Sequence, residues 1–204
     1  MPISGDTLMF CVTKLPVILI GEPRSGSDAF SQHIASLYPE LKLFIEPNYL
    51  GDHRDDSMPT NAEWIEYIEK SDRYIAKFIC SSALYLIPEH VKKLIYTNKP
   101  FIVCTHRRDE VVQMASLYVG YMRNQYRYFD TDNFVAEKMF LDEKVLVGVV
   151  DVIKKAKRAI QVYTPDLRVY YEDMTEFRSN RKITPKPINY DEIISRIKEK
   201  VEKY

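Results

Sequence analysis

A run of four apolar residues that ends in a glycine-punctuated turn constrains this chain more than any other feature. Val17, Ile18, Leu19 and Ile20 are apolar without a break, the pattern of a strand buried on both faces. Gly21-Glu22-Pro23-Arg24-Ser25-Gly26-Ser27 then turns the chain, and Phe30, Ile34, Leu37 and Tyr38 follow at helical spacing. Strand, turn and helix in this order aim backbone N–H groups and a positive helix end at an anion. Arg24 adds a fixed charge in the middle of the turn. The expectation is a cradle for phosphate or sulfate.

The rest of the chain repeats the alternation. Leu43–Ile45, Tyr74–Ile79, Phe101–Thr105 and Leu167–Tyr171 read as further strands, and Leu8–Val12 as a short extra strand or a lead-in. Helices are expected from Thr60, which with Glu63 resembles a capping box, to Lys70, and from about Ala83 to Tyr96 with Pro88 near its start. Asp109 opens another, with Val111, Ala115, Tyr118 and Met122 on one stripe. A long helix is predicted over Asn133–Tyr163 with Gly148 as a bend point, and an amphipathic one over Tyr190–Tyr204. Between them, Asn48–Asn61 is polar and turn-rich. Its carboxylates beside His53 suit an exposed loop better than a metal site, because no second ligand cluster accompanies them. Strands alternating with helices predict an α/β fold: one domain over 1–204, with a mostly parallel sheet of about five strands covered on both faces. Ligands on such sheets sit at the carboxyl ends of the strands.

Composition narrows the function. A chain of 204 residues with 46% apolar and 28% charged residues can build one core without disulfides or metal. A formal net charge of zero argues against a general nucleic-acid binder. Cys11, Cys80 and Cys104 are far apart, and the last two lie in apolar surroundings. Buried thiols in a reducing, cytoplasmic setting are expected. No apolar run reaches membrane-spanning length and no signal pattern opens the chain, so neither membrane nor nucleic acid is an expected partner.

Gly21 and Gly26 have the spacing of a nucleotide-hydrolysing P-loop, but Ser27 and Asp28 stand where its Lys and Ser/Thr belong. Pro23-Arg24-Ser25-Gly26-Ser27 instead resembles the P-R-S-G-[ST]-T signature of sulfotransferases. In that family the loop holds the 5′-phosphosulfate of 3′-phosphoadenosine-5′-phosphosulfate. Asp28 replaces the final Thr. Its carboxylate would repel the donor unless it turns away to cap the helix.

A second resemblance lies at Thr105-His106-Arg107-Arg108-Asp109. Sulfotransferases place an arginine just past a strand and a serine eight positions later, both on the cofactor's 3′-phosphate. Arg108 and Ser116 have that spacing. Gln113-Met114-Ala115-Ser116-Leu117-Tyr118 also echoes the Q-A-V-S-[FL]-[WY] run of bacterial carbohydrate sulfotransferases, an alignment that gives Arg107 the arginine's place. Eight helical residues span ~12 Å, so one phosphate is shared only if the arginine reaches along the helix. Lys154–Arg158 and Arg178–Lys186 are the basic segments, and the family's C-terminal basic loop would correspond to Arg181, Lys182 and Lys186. Val169-Tyr170-Tyr171-Glu172-Asp173-Met174 resembles a structural strand of the family.

The resemblance implies transfer of a sulfuryl group from 3′-phosphoadenosine-5′-phosphosulfate to an acceptor hydroxyl, of a carbohydrate or other small molecule, without a metal. Arg24 would serve the 5′-phosphosulfate. Glu46, in Ile45-Glu46-Pro47 at a strand end, is the expected base, and His106 is its rival. Lys77 stands among Ile75, Ala76, Phe78 and Ile79, where it either snorkels from an edge or faces a polar ligand. The fifteen tyrosines could floor a sugar cleft or pack in the core. The alternative function is a relative that binds an adenine nucleotide or another anion without turnover.

Overall fold

The computed structural model describes residues 15–46, 61–80, 93, 97–123, 137–174 and 186–204. Leu8–Val12, Cys11, Pro47 to Thr60 with His53, most of the Ala83–Tyr96 helix, Arg181 and Lys182 lie outside them.

Five parallel strands form one sheet: β1 (Val17–Gly21), β2 (Lys42–Ile45), β3 (Tyr74–Ile79), β4 (Phe101–His106) and β5 (Leu167–Tyr170), in the order β2-β3-β1-β4-β5. The α/β expectation therefore holds. β1 and β3 are buried at every residue, as unbroken apolar runs in a covered parallel sheet should be. The edge strands β2 and β5 bury only one residue fully each, and their sequences are correspondingly more polar.

Side-chain alternation divides the core into two layers. Val17, Leu19, Ile75, Val103 and Val169 pack with Phe30 and Ile34 of α1 (Ser27–Leu37). Ile18, Ile20, Ala76, Phe78 and Cys104 point the other way. They meet Trp64 and Ile68 of α2 (Asn61–Lys70) and Ile160 at the end of α4 (Glu143–Ile160). Trp64 and Phe78 meet edge to face at 5.4 Å. Full burial of side chains of this size contributes about 1.5–3 kcal/mol each. A third cluster joins α3 (Glu110–Met122), α4 and α5 (Tyr190–Glu202) through Met114, Tyr118, Val149, Ile153, Ile193 and Ile197.

The long helix is shorter than its apolar periodicity predicts. It starts at Glu143 rather than Asn133, and 137–142 are not helical. Asp142 is the reason: its carboxylate accepts from the backbone N–H groups of Lys144 and Val145, a side-chain cap that begins a helix there. Tyr118 holds the preceding segment in place, its hydroxyl accepting from Asp142 N and donating to Phe140 O. Strand β5 likewise stops one residue early, as Tyr171–Asp173 form a single 3-10 turn.

The connection from β1 leads through α1 to the β2 edge, whereas β4 is followed by β5 on the opposite edge. The chain thus diverges from the carboxyl ends of β1 and β4, the place where open parallel sheets form ligand crevices.

Candidate functional site

The loop after β1 is held in shape by close packing and by its own hydrogen bonds. A Cβ on Gly21 would fall 2.6 Å from Ser27 Cβ and 2.8 Å from Thr105 Oγ1, so only glycine fits. Gly26 has φ 76°, and a Cβ there would meet the Tyr171 ring at 2.5 Å. Ser25 is fully buried; its hydroxyl hydrogen-bonds Glu22 O at 2.7 Å and Thr105 Oγ1 at 2.8 Å. Ser25 therefore builds the loop with its side chain. Gly26 is the N-cap of α1 and supplies no side-chain cap, leaving the helix start to other acceptors.

Arg24, expected at the centre of the cradle, adopts φ 61°, a left-handed conformation that costs a non-glycine residue free energy. Its Nε donates to Ser116 Oγ of α3 at 3.0 Å. Arg107 Nη1 donates to Arg24 O at 3.4 Å. Gln113, fully buried one turn before Ser116, donates through Nε2 to Pro23 O at 2.7 Å and Glu22 Oε2 at 3.1 Å. The two segments singled out in sequence thus meet. Arg107 and Arg108 part company. The Arg107 guanidinium stacks 4.6 Å from the Tyr171 ring, next to the loop; its buried Nε has no hydrogen-bond partner among the described residues and lies 3.8 Å from Glu172 Oε1. Arg108 is half exposed and forms a two-pronged pair with Asp173 at 2.8 and 2.7 Å. Lys186 sits 4.7 Å from the Tyr190 ring at the start of α5.

On the α1 side of the sheet lies a buried charge cluster. Lys77 Nζ, 1% exposed, donates to both Asp28 Oδ1 and Glu46 Oε1. Burial pulls the Lys77 ammonium down, but the Asp28 and Glu46 carboxylates outweigh it and hold the pKa above the usual lysine value. The cluster carries one lysine charge against two carboxylates. Of the two sequence readings of Lys77, an edge-strand snorkel is excluded, since β3 is flanked by β1 and β2. Asp28 pairs with Lys77 and does not cap α1, whose N-cap is Gly26. Glu46 stands at the end of β2 with φ 48°, a second strained position.

On the opposite face is a hub that sequence reading missed. Glu22, 1% exposed, meets His106 Nδ1 at 2.8 Å, Gln113 Nε2 at 3.1 Å and Lys157 Nζ at 3.4 Å. Burial raises its pKa, and His106, Lys157 and Gln113 together reverse that, leaving it below the usual carboxylate value. Nothing in the sequence marks Glu22, because its burial depends on His106, Gln113 and Lys157, all distant in the chain. His106 is engaged there, across the sheet from Lys77 and Glu46, so the two candidate bases do not share a site.

No protein-family model matches the chain, and no curated protein matches it. Among the described residues no helix is long and apolar enough to cross a membrane.

Proposed function

We propose that the chain is a sulfotransferase that moves a sulfuryl group from 3′-phosphoadenosine-5′-phosphosulfate to an acceptor hydroxyl on a carbohydrate or other small molecule. The Arg24–Ser116 hydrogen bond carries this reading, because it joins the loop after β1 to the helix after β4 where the sheet diverges. On this reading the donor is a doubly phosphorylated adenosine. Arg24 and the start of α1 would hold its 5′ end; Arg107, whose Nε lies 3.8 Å from Glu172 Oε1, and Ser116 would hold its 3′-phosphate. Arg108, tied to Asp173, is the weaker candidate. Bound there, the donor would supply an activated sulfur whose bond to the 5′-phosphate oxygen breaks as the acceptor oxygen attacks.

Glu46 takes the acceptor's proton in this scheme. Lys77 orients the Glu46 carboxylate, and Asp28 holds Lys77 from its other side. Asp28 therefore acts as a positioning residue, its charge met by Lys77 instead of facing the donor.

A second reading also has an observation behind it: Lys77 is engaged by two carboxylates, so the cation that would stabilise leaving-group charge is already neutralised. On that reading the chain binds an adenine nucleotide or another anion without turnover. Thermal shift with 3′-phosphoadenosine-5′-phosphate tests whether the cradle binds, and labelled-sulfate transfer to glycan and phenol panels tests turnover. Binding with transfer supports the enzyme. Binding alone supports the second reading, and no binding refutes both.

A further inference from the structure

Arg107 stands at the exit of β4, between that strand and α3, where its backbone belongs to no regular element. Backbone polar groups at such a place need partners from elsewhere. Side chains from two distant segments supply them. Arg107 N donates to Glu22 Oε2 at 3.4 Å, and Arg107 O accepts from Lys157 Nζ at 3.0 Å. Lys157 in turn lies 3.4 Å from the same Glu22 oxygen, so the two side chains close a clamp on either side of the Arg107 Cα.

Lys157 has three N–H groups, and three oxygens surround them: Arg107 O at 3.0 Å, Glu22 Oε2 at 3.4 Å and Glu110 Oε1 at 3.7 Å. It therefore bears on a ligand through Arg107 and not by direct contact. Lys154, a turn earlier on α4, pairs with Glu110 Oε2 at 3.1 Å instead.

The far end of Arg107 is steered as well. Its guanidinium lies 4.6 Å from the Tyr171 ring, and Nη1 donates to Arg24 O at 3.4 Å. Anchoring both backbone and guanidinium removes freedom that a ligand would otherwise have to take away on binding. A guanidinium fork grips phosphate in a defined orientation, so the position of the backbone decides whether the grip forms.

We propose that Lys157, together with Glu22, is a positioning residue for Arg107, holding its backbone so that the guanidinium selects a nucleotide with a 3′-phosphate over one without. This rests on the reading of Arg107 as the 3′-phosphate arginine, and it holds whether or not the chain turns over.

Calorimetric titration of the full chain tests it, comparing 3′-phosphoadenosine-5′-phosphate with adenosine 5′-phosphate, which lacks the 3′-phosphate. The native chain should prefer the former by about tenfold or more. Lys157→Met should erase most of that preference and leave the affinity for adenosine 5′-phosphate unchanged. Lys154→Met should keep the preference in full. In an Arg107→Ala background, Lys157→Met should cost nothing further, because Lys157 acts through Arg107. Should Lys157→Met fail to fold, the double variant Glu22→Gln, Lys157→Met removes the paired charges together and should show the same loss. A native chain without preference overturns the role of Arg107 and this proposal with it. The proposal alone is overturned if the native preference survives in the Lys157 variant, or if that variant loses both nucleotides equally. An equal loss in Lys154→Met, or a further loss in the Arg107→Ala background, overturns it as well.

Discussion

Arg24 Nε and Ser116 Oγ are 3.0 Å apart although 92 positions separate them in the chain. This contact, with the Gln113 clamp on Pro23 O, makes α3 the second wall of the loop after β1. The loop is flanked by two carboxylate hubs, one on each face of the sheet: buried Glu22 beneath α4, and half-buried Glu46 and Asp28 around the buried Lys77 beside α1.

Arg24 has both a functional and a conformational consequence. Arg24→Ala and Arg24→Gly should each abolish binding of 3′-phosphoadenosine-5′-phosphate in a thermal-shift titration. Without ligand, the glycine variant should be the more stable by about 1 kcal/mol, because glycine adopts φ 61° without the Cβ penalty. Equal stability of the two would show that the backbone there relaxes.

Lys77→Met should cost about 3–5 kcal/mol in urea unfolding, since it leaves two carboxylates together without their cation. The folded-state pKa of Lys77 lies above 10.5, so its contribution is fully present below that pH and is lost only as the pH rises through the folded value. The gap between native and variant should therefore stay level from about pH 6 to 9.

Glu46→Gln preserves shape and a hydrogen bond to the Lys77 side of the cluster while removing the base. Nucleotide binding should persist, and sulfate transfer should fall by about 10²–10⁴-fold. Loss of binding in this variant would take Glu46 out of the role of base.

Glu22→Gln addresses the other hub. A carboxylate held below 4.5 in the folded state stabilises above that pH and loses its contribution as the pH falls through the folded value. The native chain should melt higher than the variant near neutrality, and the difference should close as the pH is lowered below about 4.5. A difference independent of pH would mean that shape, not charge, holds the hub together.

Cys80 and Cys104 have thiols pushed up to about 11 and about 12, mainly by burial. Neither should react with iodoacetamide in the native chain near pH 8, and both should react once it is unfolded. Mass spectrometry of the labelled peptides distinguishes the two states.

Much of the sheet could be read from the chain alone. β1, β3 and β4 are unbroken or nearly unbroken apolar runs, which report burial on both faces directly. The glycines at 21 and 26 marked the turn, and Ser116 marked the helix that meets it. Among the described residues periodicity misled most over Asn133–Tyr163, where apolar spacing continued past a local competitor: the carboxylate of Asp142 caps the backbone and starts the helix there. Glu22 escaped notice because a single acidic residue in a turn looks solvated in any linear reading.

Sequence by itself determined the alternation of buried strands and amphipathic helices, and the tight glycine turn after the first strand. Both depend on steric and hydrophobic preferences that act within a few residues. Tertiary structure alone decided that Asp28 faces Lys77, that Arg107 rather than Arg108 lies against the loop, and that Glu46 and His106 occupy opposite faces of the sheet. The choice of partner for a buried charge is made by whichever opposite charge the strand order brings within hydrogen-bonding reach, and that order is a property of the folded sheet.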